Sequence, residues 1–322
     1  MTQTDSAAST SQTDRDGESL RTVVVAASAN LAIALAKGVA ALLTGSAALW
    51  AETAHSVADT GNQLLLFIGL QRSSRKADRQ HPFGYGQERF FWAFLAALGV
   101  FLVGGLLSIA EGVRSWLLPE PLESPWIGLG VLLVAAVFES ISWLTALKQL
   151  RSGAKERSRT ILEHLKRVSD PSAAAVFLED SAALIGLALA FAALVLHLVT
   201  GQALWDALAS IAIGILLMTV AWLLARRTKG LLVDESAPAD VVARVREAIM
   251  ESDWIASIRD LQAIYIGPAQ LLVTAEVVPK PELVDGPASA LISDVAELKD
   301  RLEESPAITS ASITLAIPAE RR

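Results

Sequence analysis

Residues 52–59 read ETAHSVAD between the apolar stretches SAALWA and TGNQLLLFIGL. Glu52, His55 and Asp59 fall at i, i+3 and i+7, so a helix carries all three on one face. At bilayer depth each charge costs about 2.5–3.5 kcal/mol on insertion scales, and such a stripe persists where it meets a partner or a watery path. An imidazole and a carboxylate one turn apart can reach the same cation, and both suit Zn²⁺ and other first-row divalent ions. The same stripe would also serve as a buried hydrogen-bond network tying helices together.

A second acidic feature lies in AAAVFLEDSAALIGLALA, where Glu179 and Asp180 are adjacent. Neighbours on a helix are about 100° apart. One of the two is expected to join the His55/Asp59 stripe, the other to face a neighbouring helix or a cytoplasmic vestibule. Glu139 in VFESIS and Lys37 in ALAKGVA add two more ionisable groups. They either pair with each other or with Glu52, or they approach the metal directly. Asp206, near the start of a later apolar segment, reads as a helix cap.

The elements that must hold these groups are apolar helices. The chain of 322 residues is 52% hydrophobic and 19% charged, with mean hydropathy +0.45; soluble domains carry about 25% charged residues. Six segments reach the roughly 20 residues that cross a bilayer: 23–44, 46–70, 90–118, 126–147, 173–199 and 203–225. Basic residues concentrate in alternate connections: Arg72, Arg75, Lys76, Arg79 and Arg89; Lys148 through Arg167; and Arg226, Arg227 and Lys229. The opposite loops, TGS, LLPEPLES and VTGQ, hold none. The positive-inside rule then puts both termini in the cytoplasm. Ser124-Pro125 and Asp170-Pro171 mark helix starts, and 153–168 reads as a short amphipathic cytoplasmic helix.

Residues 1–20 are polar and expected to be disordered, 21–228 form the six-span all-α membrane domain, and 229–322 form a small cytoplasmic α+β domain. In that last region Val241, Val242, Val245 and Ile249 share a helical face, 258–266 and 271–278 read as strands about a Gly267-Pro268 turn, 291–303 as a helix and 308–317 as a strand. The order α-β-β-α-β implies helices on one face of a sheet. The domain lacks His and Cys, so its expected role is dimerisation or docking. The chain has no cysteine, which excludes disulfides and thiolate metal sites. No HExxH motif supports an intramembrane metalloenzyme, and no nucleic-acid partner is expected.

Taken with GSAALWAETAHSVADTGNQ, the HPFGYGQER that follows, WDALASI at the sixth span and the six-span layout with an α+β tail, the chain resembles the cation diffusion facilitator family of divalent-metal/proton antiporters. SDPSAAAVFLEDSAALIG looks most like the branch containing the zinc transporter 9 proteins. The resemblance implies a homodimer that binds its transported ion between spans two and five. It carries metal roles onto His55, Asp59 and Asp180. Val176 stands where much of the family has His or Asp, so Glu179 becomes the substitute ligand, with Glu52 and Glu139 as outer candidates. In the loop after span two, Asp78 and His81 match a second family site, but Tyr85 replaces a needed His, so that site is expected to be lost or weak. His164 and His197 match nothing. The implied activity is export of a divalent metal, Zn²⁺ first, in exchange for protons, with no permanently bound cofactor and no enzymatic step. The expected location is an integral, multi-pass position in a membrane, the plasma (inner) membrane if the source is a bacterium. The alternatives are a non-transporting membrane scaffold, or an Mn²⁺, Fe²⁺ or Co²⁺ exporter of the same architecture.

Overall fold

The computed structural model describes residues 28, 30–156, 160, 171–284 and 286–316. The polar segment 1–20, the first residues of the expected first span, and most of the amphipathic segment 153–168 lie outside them. The part of that segment up to Glu156 ends a longer helix. The chain divides into two compact units, one of them comprising residues up to Ile68, Trp92–Lys166 and Pro171–Arg226.

This first unit is helical. Helix α1 spans Asn30–Thr44, α2 Ala47–Ser73, α3 Glu88–Leu117, α4 Pro125–Glu156, α5 Pro171–Thr200 and α6 Leu204–Leu232. Among the described residues, α3, α4, α5 and α6 are long and apolar enough to cross a membrane. The described part of α1 is shorter. The 27 residues of α2 suffice in length, but its ionisable stripe lowers its hydropathy. The protein is thus an integral membrane protein, and α2, which carries the ionisable stripe, is the least apolar of its long helices.

Short connections bring sequential helices together. Gly45 (φ 68°) and Gly201 (φ 69°) turn the chain between α1 and α2 and between α5 and α6, in a backbone region that costs L-residues with a Cβ but not glycine. Asp206 caps a helix other than its own. Its carboxylate accepts the Ser46 hydroxyl at 2.6 Å and the Ala47 N–H at 2.5 Å, so a residue of α6 satisfies the N-terminus of α2.

Packing uses small side chains, as it must where lipid is as apolar as the helices themselves. Ala40, Ala41, Ala48, Ala51, Ala182, Ala190 and Ala193 are buried in one core with Leu49, Leu194, Ile213 and Leu217. A Cβ on Gly105 of α3 would meet Met218 of α6 at 2.4 Å, and one on Gly214 of α6 would lie 2.8 Å from the Gly105 carbonyl. These glycines hold α3 and α6 at close approach. Within α3, Val100–Leu106 winds as a π-helix. A π-bulge beside Glu179 would have been one way to turn that side chain, but α5 is regular α-helix there.

The second unit comprises Gly69–Phe91, Arg167–Asp170 and Arg227–Arg322. Helix α7 (Ala239–Met250), β1 (Ile255–Gly267), β2 (Gln270–Pro279), the one-turn α8 (Pro281–Val284), α9 (Ala288–Glu303) and β3 (Ile308–Leu315) follow in order. The sheet runs β1-β2-β3, antiparallel then parallel. Leu271, Val273, Ala275 and Val277 of β2 alternate into the core, where Val245 and Ile249 of α7 and Leu298 and Leu302 of α9 join them. Fully burying each of the larger side chains is worth roughly 1.5–3 kcal/mol. The expected α-β-β-α-β order holds, with α8 as an addition.

The connector between α2 and α3 belongs to this unit, whereas hydropathy groups it with residues 21–228. Phe90 is fully buried in the sheet's core cluster. A Cβ on Gly86 would lie 2.4 Å from the Ile266 carbonyl oxygen, so only glycine lets the HPFGYG segment lie against the β1–β2 turn.

Candidate metal centre

Helix α2 presents its stripe as the spacing requires, and its ionisable groups divide into three settings. Glu52 is fully buried and bound to Lys37 of α1 at 2.8 Å; the same ammonium donates to Ser56 Oγ at 2.9 Å. Of the pairings open to Lys37, the structure selects Glu52. The other Glu52 oxygen points at α5, where a Cβ on Gly186 would stand 2.4 Å from Oε1. Glycine at 186 therefore makes room for the carboxylate.

His55 is buried, and its Nε2 lies 3.3 Å from Asp59 Oδ2 but off hydrogen-bond geometry. Among the described residues, both ring nitrogens and Asp59 Oδ1 are buried without a hydrogen-bond partner. Buried polar atoms are nearly always satisfied, so three unsatisfied atoms one turn apart mark a place built to meet something else.

Asp59 opens onto a cavity of about 280 Å³, whose wall also includes Glu139 of α4, Glu179 and Asp180 of α5, and Val176. Adjacent on a regular helix, Glu179 and Asp180 both reach it. Their divergence appears instead in who holds them. Asn62 of α2 donates to Glu179 Oε2 at 2.7 Å, and Ser142 of α4 donates to Asp180 Oδ2 at 2.7 Å. Trp143 Nε1 donates to Ser181 Oγ at 2.9 Å, adding a second α4–α5 tie. Asn62, Ser142 and Gly186 are positioning residues that sequence reading passed over. Asn62 lies three residues beyond Asp59, the one signal that could have found it.

The cavity thus collects Asp59, Glu139, Glu179 and Asp180, while His55 stands behind Asp59 and Glu52 is engaged by Lys37. Among the described residues, no three His, Asp or Glu side chains lie close enough to hold one ion. The arrangement is a carboxylate-lined vestibule rather than a closed four-donor shell. Asn62 and Ser142 draw the acidic groups toward different helices, which separates like charges in a low-dielectric setting. With room for several water molecules, each about 30 Å³ in the liquid, the vestibule suits a partly hydrated cation.

The loop match is different in kind. Asp78 accepts the Tyr85 hydroxyl at 2.7 Å and the N–H groups of Gln80 and His81 at 2.8 Å each. The Tyr85 bond, then these amides, hold its carboxyl below the usual range. Tyr85 also packs against His81, with ring centroids 4.0 Å apart and planes tilted by 34°, and lies beneath the Arg75 guanidinium. Tyr85 therefore occupies Asp78 internally. His197, near the end of α5, has a buried Nδ1 without a hydrogen-bond partner among the described residues, and His164 lies outside them.

Residues 23–233 match the cation efflux transmembrane domain family. The chain is 34% identical over 234 residues to Metal tolerance protein C4 of Arabidopsis thaliana, covering 73% of this chain and 51% of that protein. It is 33% identical over 242 residues to the human proton-coupled zinc antiporter SLC30A9, mitochondrial, covering 75% of this chain and 42% of that one. Magnetosome protein MamB of Magnetospirillum gryphiswaldense is 28% identical over 284 residues, with 77% and 94% covered. The chain spans about half or less of the length of the first two. With the domain match covering well over half of its residues, and an ionisable stripe buried among apolar helices, the chain belongs to the cation diffusion facilitator family of cation efflux proteins.

Proposed function

We propose that this protein exports divalent metal from the cytoplasm, Zn²⁺ first, in exchange for protons. His55, Asp59 and Asp180 bind the ion, Glu179 replaces the donor that Val176 cannot supply, and Glu139 stands by on the cavity wall. Six spans with both termini cytoplasmic, a plasma-membrane position if the source is a bacterium, and a homodimer joined through the C-terminal unit complete the reading. The observation that carries it is the cavity itself: four carboxylates line it, and His55 lies one turn from Asp59 on the same face of α2.

Imidazole and carboxylate bind metal only when deprotonated, so protons and metal compete for the same groups. Release follows on the side where proton binding to His55 and the carboxylates outcompetes the ion. Alternating access then exposes the site to one face at a time. The SLC30A9 relatives are named as proton-coupled zinc antiporters, which supports the order of substrates. A second reading, export of Mn²⁺, Fe²⁺ or Co²⁺, is favoured by the excess of carboxylate oxygen over nitrogen around the cavity.

Flux in proteoliposomes separates these readings. Zn²⁺, Mn²⁺, Fe²⁺ and Co²⁺ would each be supplied across a pH gradient. The proposal expects metal movement with opposite proton movement, fastest for Zn²⁺. Fastest flux of another ion would select the second reading, and no flux of any ion would leave the scaffold role.

A further inference from the structure

The α2 stripe does not stop at Asp59. Gln63 follows at i+4 from Asp59 and i+8 from His55, on the same helical face. Its side chain lines the cavity shared by Asp59, Glu179 and Asp180. Its carbonyl oxygen Oε1 is buried and accepts no hydrogen bond from the described residues. The neighbouring Asn62 directs its side-chain NH2 to Glu179. Gln63 is thus an acceptor held ready in a space large enough for water, on a wall that it shares with the four acids, apolar side chains and the neutral polar residues Asn30, Asn62 and Ser142. A buried acceptor left unsatisfied is a standing cost, and a cation or one of its bound waters removes it.

The chemistry of an amide oxygen differs from that of the other donors here. It carries no proton to lose, so it binds metal at any physiological pH without competition. It is also a hard donor, of the kind that suits Mn²⁺ more than Zn²⁺, whereas imidazole suits Zn²⁺. Val176 contributes no donor to the same cavity, which leaves a neutral oxygen from α2 with more influence.

We infer that Gln63 Oε1 is a neutral oxygen ligand for the transported cation, directly or through its hydration water, and that it sets the preference between oxygen-seeking and nitrogen-seeking divalent ions. This rests on the reading of α2 and α5 as the transport site. It places Gln63 one turn along α2 from Asp59, on the side of the stripe away from His55.

The test measures binding of Mn²⁺ and Zn²⁺ by calorimetry to the full-length protein in lipid nanodiscs. Wild type, Gln63→Leu, Gln63→Met and Asp59→Ala would be compared. Gln63→Leu is expected to lose about tenfold in Mn²⁺ affinity, the lower end of what supporting ligand contacts contribute, with a clearly smaller loss for Zn²⁺. Gln63→Met keeps the length without the oxygen and is expected to behave alike; it decides the matter if the leucine variant does not fold. Unchanged affinities in the Gln63 variants, or equal losses for both ions, would overturn the inference, provided Asp59→Ala removes binding. If Asp59→Ala binds both ions like wild type, the transport-site reading itself fails and takes the inference with it.

Discussion

Replacing Lys37 by methionine tests whether the centre rests on a buried ion pair. Lys37 Nζ and Glu52 Oε2 are 2.8 Å apart and both side chains are wholly buried. At an effective dielectric of about 20, charges at that distance attract by roughly 6 kcal/mol. Desolvating two ions costs several kcal/mol each, which offsets most of that gain. Breaking the pair from one side is a different matter, because the remaining charge keeps its burial and loses its partner, at about 3–5 kcal/mol. Lys37→Met and Glu52→Gln should therefore each destabilise by about 3 kcal/mol or more, while the double variant stays within about 1–2 kcal/mol of wild type. The implied coupling exceeds 2 kcal/mol, beyond what non-interacting sites show. Unfolding in mixed micelles followed by tryptophan fluorescence would measure all four proteins. Additive single effects, or single losses under 1 kcal/mol, would refute the pairing argument. Metal affinity adds a second readout. Since Glu52 serves Lys37 in this arrangement, the double variant should bind metal as wild type does; a loss would return Glu52 to the ligand set.

His55→Ala and Asp59→Ala should each abolish metal flux in proteoliposomes while size-exclusion profiles and helical content stay at wild type, because they remove ligands rather than packing. Asp180→Asn should also abolish transport, whereas Glu179→Gln should lower metal affinity and reduce the protons exchanged per metal, since one competing group is gone; unchanged affinity and coupling would make Glu179 structural only. Gly86→Ala should destabilise the C-terminal unit by about 1–3 kcal/mol, the usual cost of overpacking, because its Cβ meets a backbone carbonyl that cannot rotate away. Hydrogen exchange at β1 and β2 would show faster opening, and unchanged exchange would refute the contact. Tyr85→Phe should raise the Asp78 carboxyl toward its ordinary value, read by carbon NMR. The depressed value in the fold means that this bond stabilises the connector above the unfolded carboxylate pKa of about 3.9 and is lost as pH falls through the lower folded value. The variant should flatten that acid dependence.

Much of this protein was legible in the chain because its signals are local. Apolar runs mark the helices, and the spacing of Glu52, His55 and Asp59 puts them on one face whatever surrounds them. The alternation of Leu271, Val273, Ala275 and Val277 fixes which side of β2 is buried, since strand periodicity does not depend on partners. Tertiary structure decided what those faces meet. Lys37 could have paired with Glu139 or Glu52, and only the packing of α1 on α2 selects Glu52. Glu179 and Asp180 diverge on the helix, yet both line one cavity because α2 and α4 approach α5 with Asn62 and Ser142 at the right heights. Asp206 caps α2 rather than its own helix, and Phe90, inside an apolar run that reads as membrane, is buried in the core of the sheet unit. Hydropathy measures a residue's preference for burial and says nothing of which core receives it. That choice depends on contacts between residues far apart in the chain, and there local pattern carries no information.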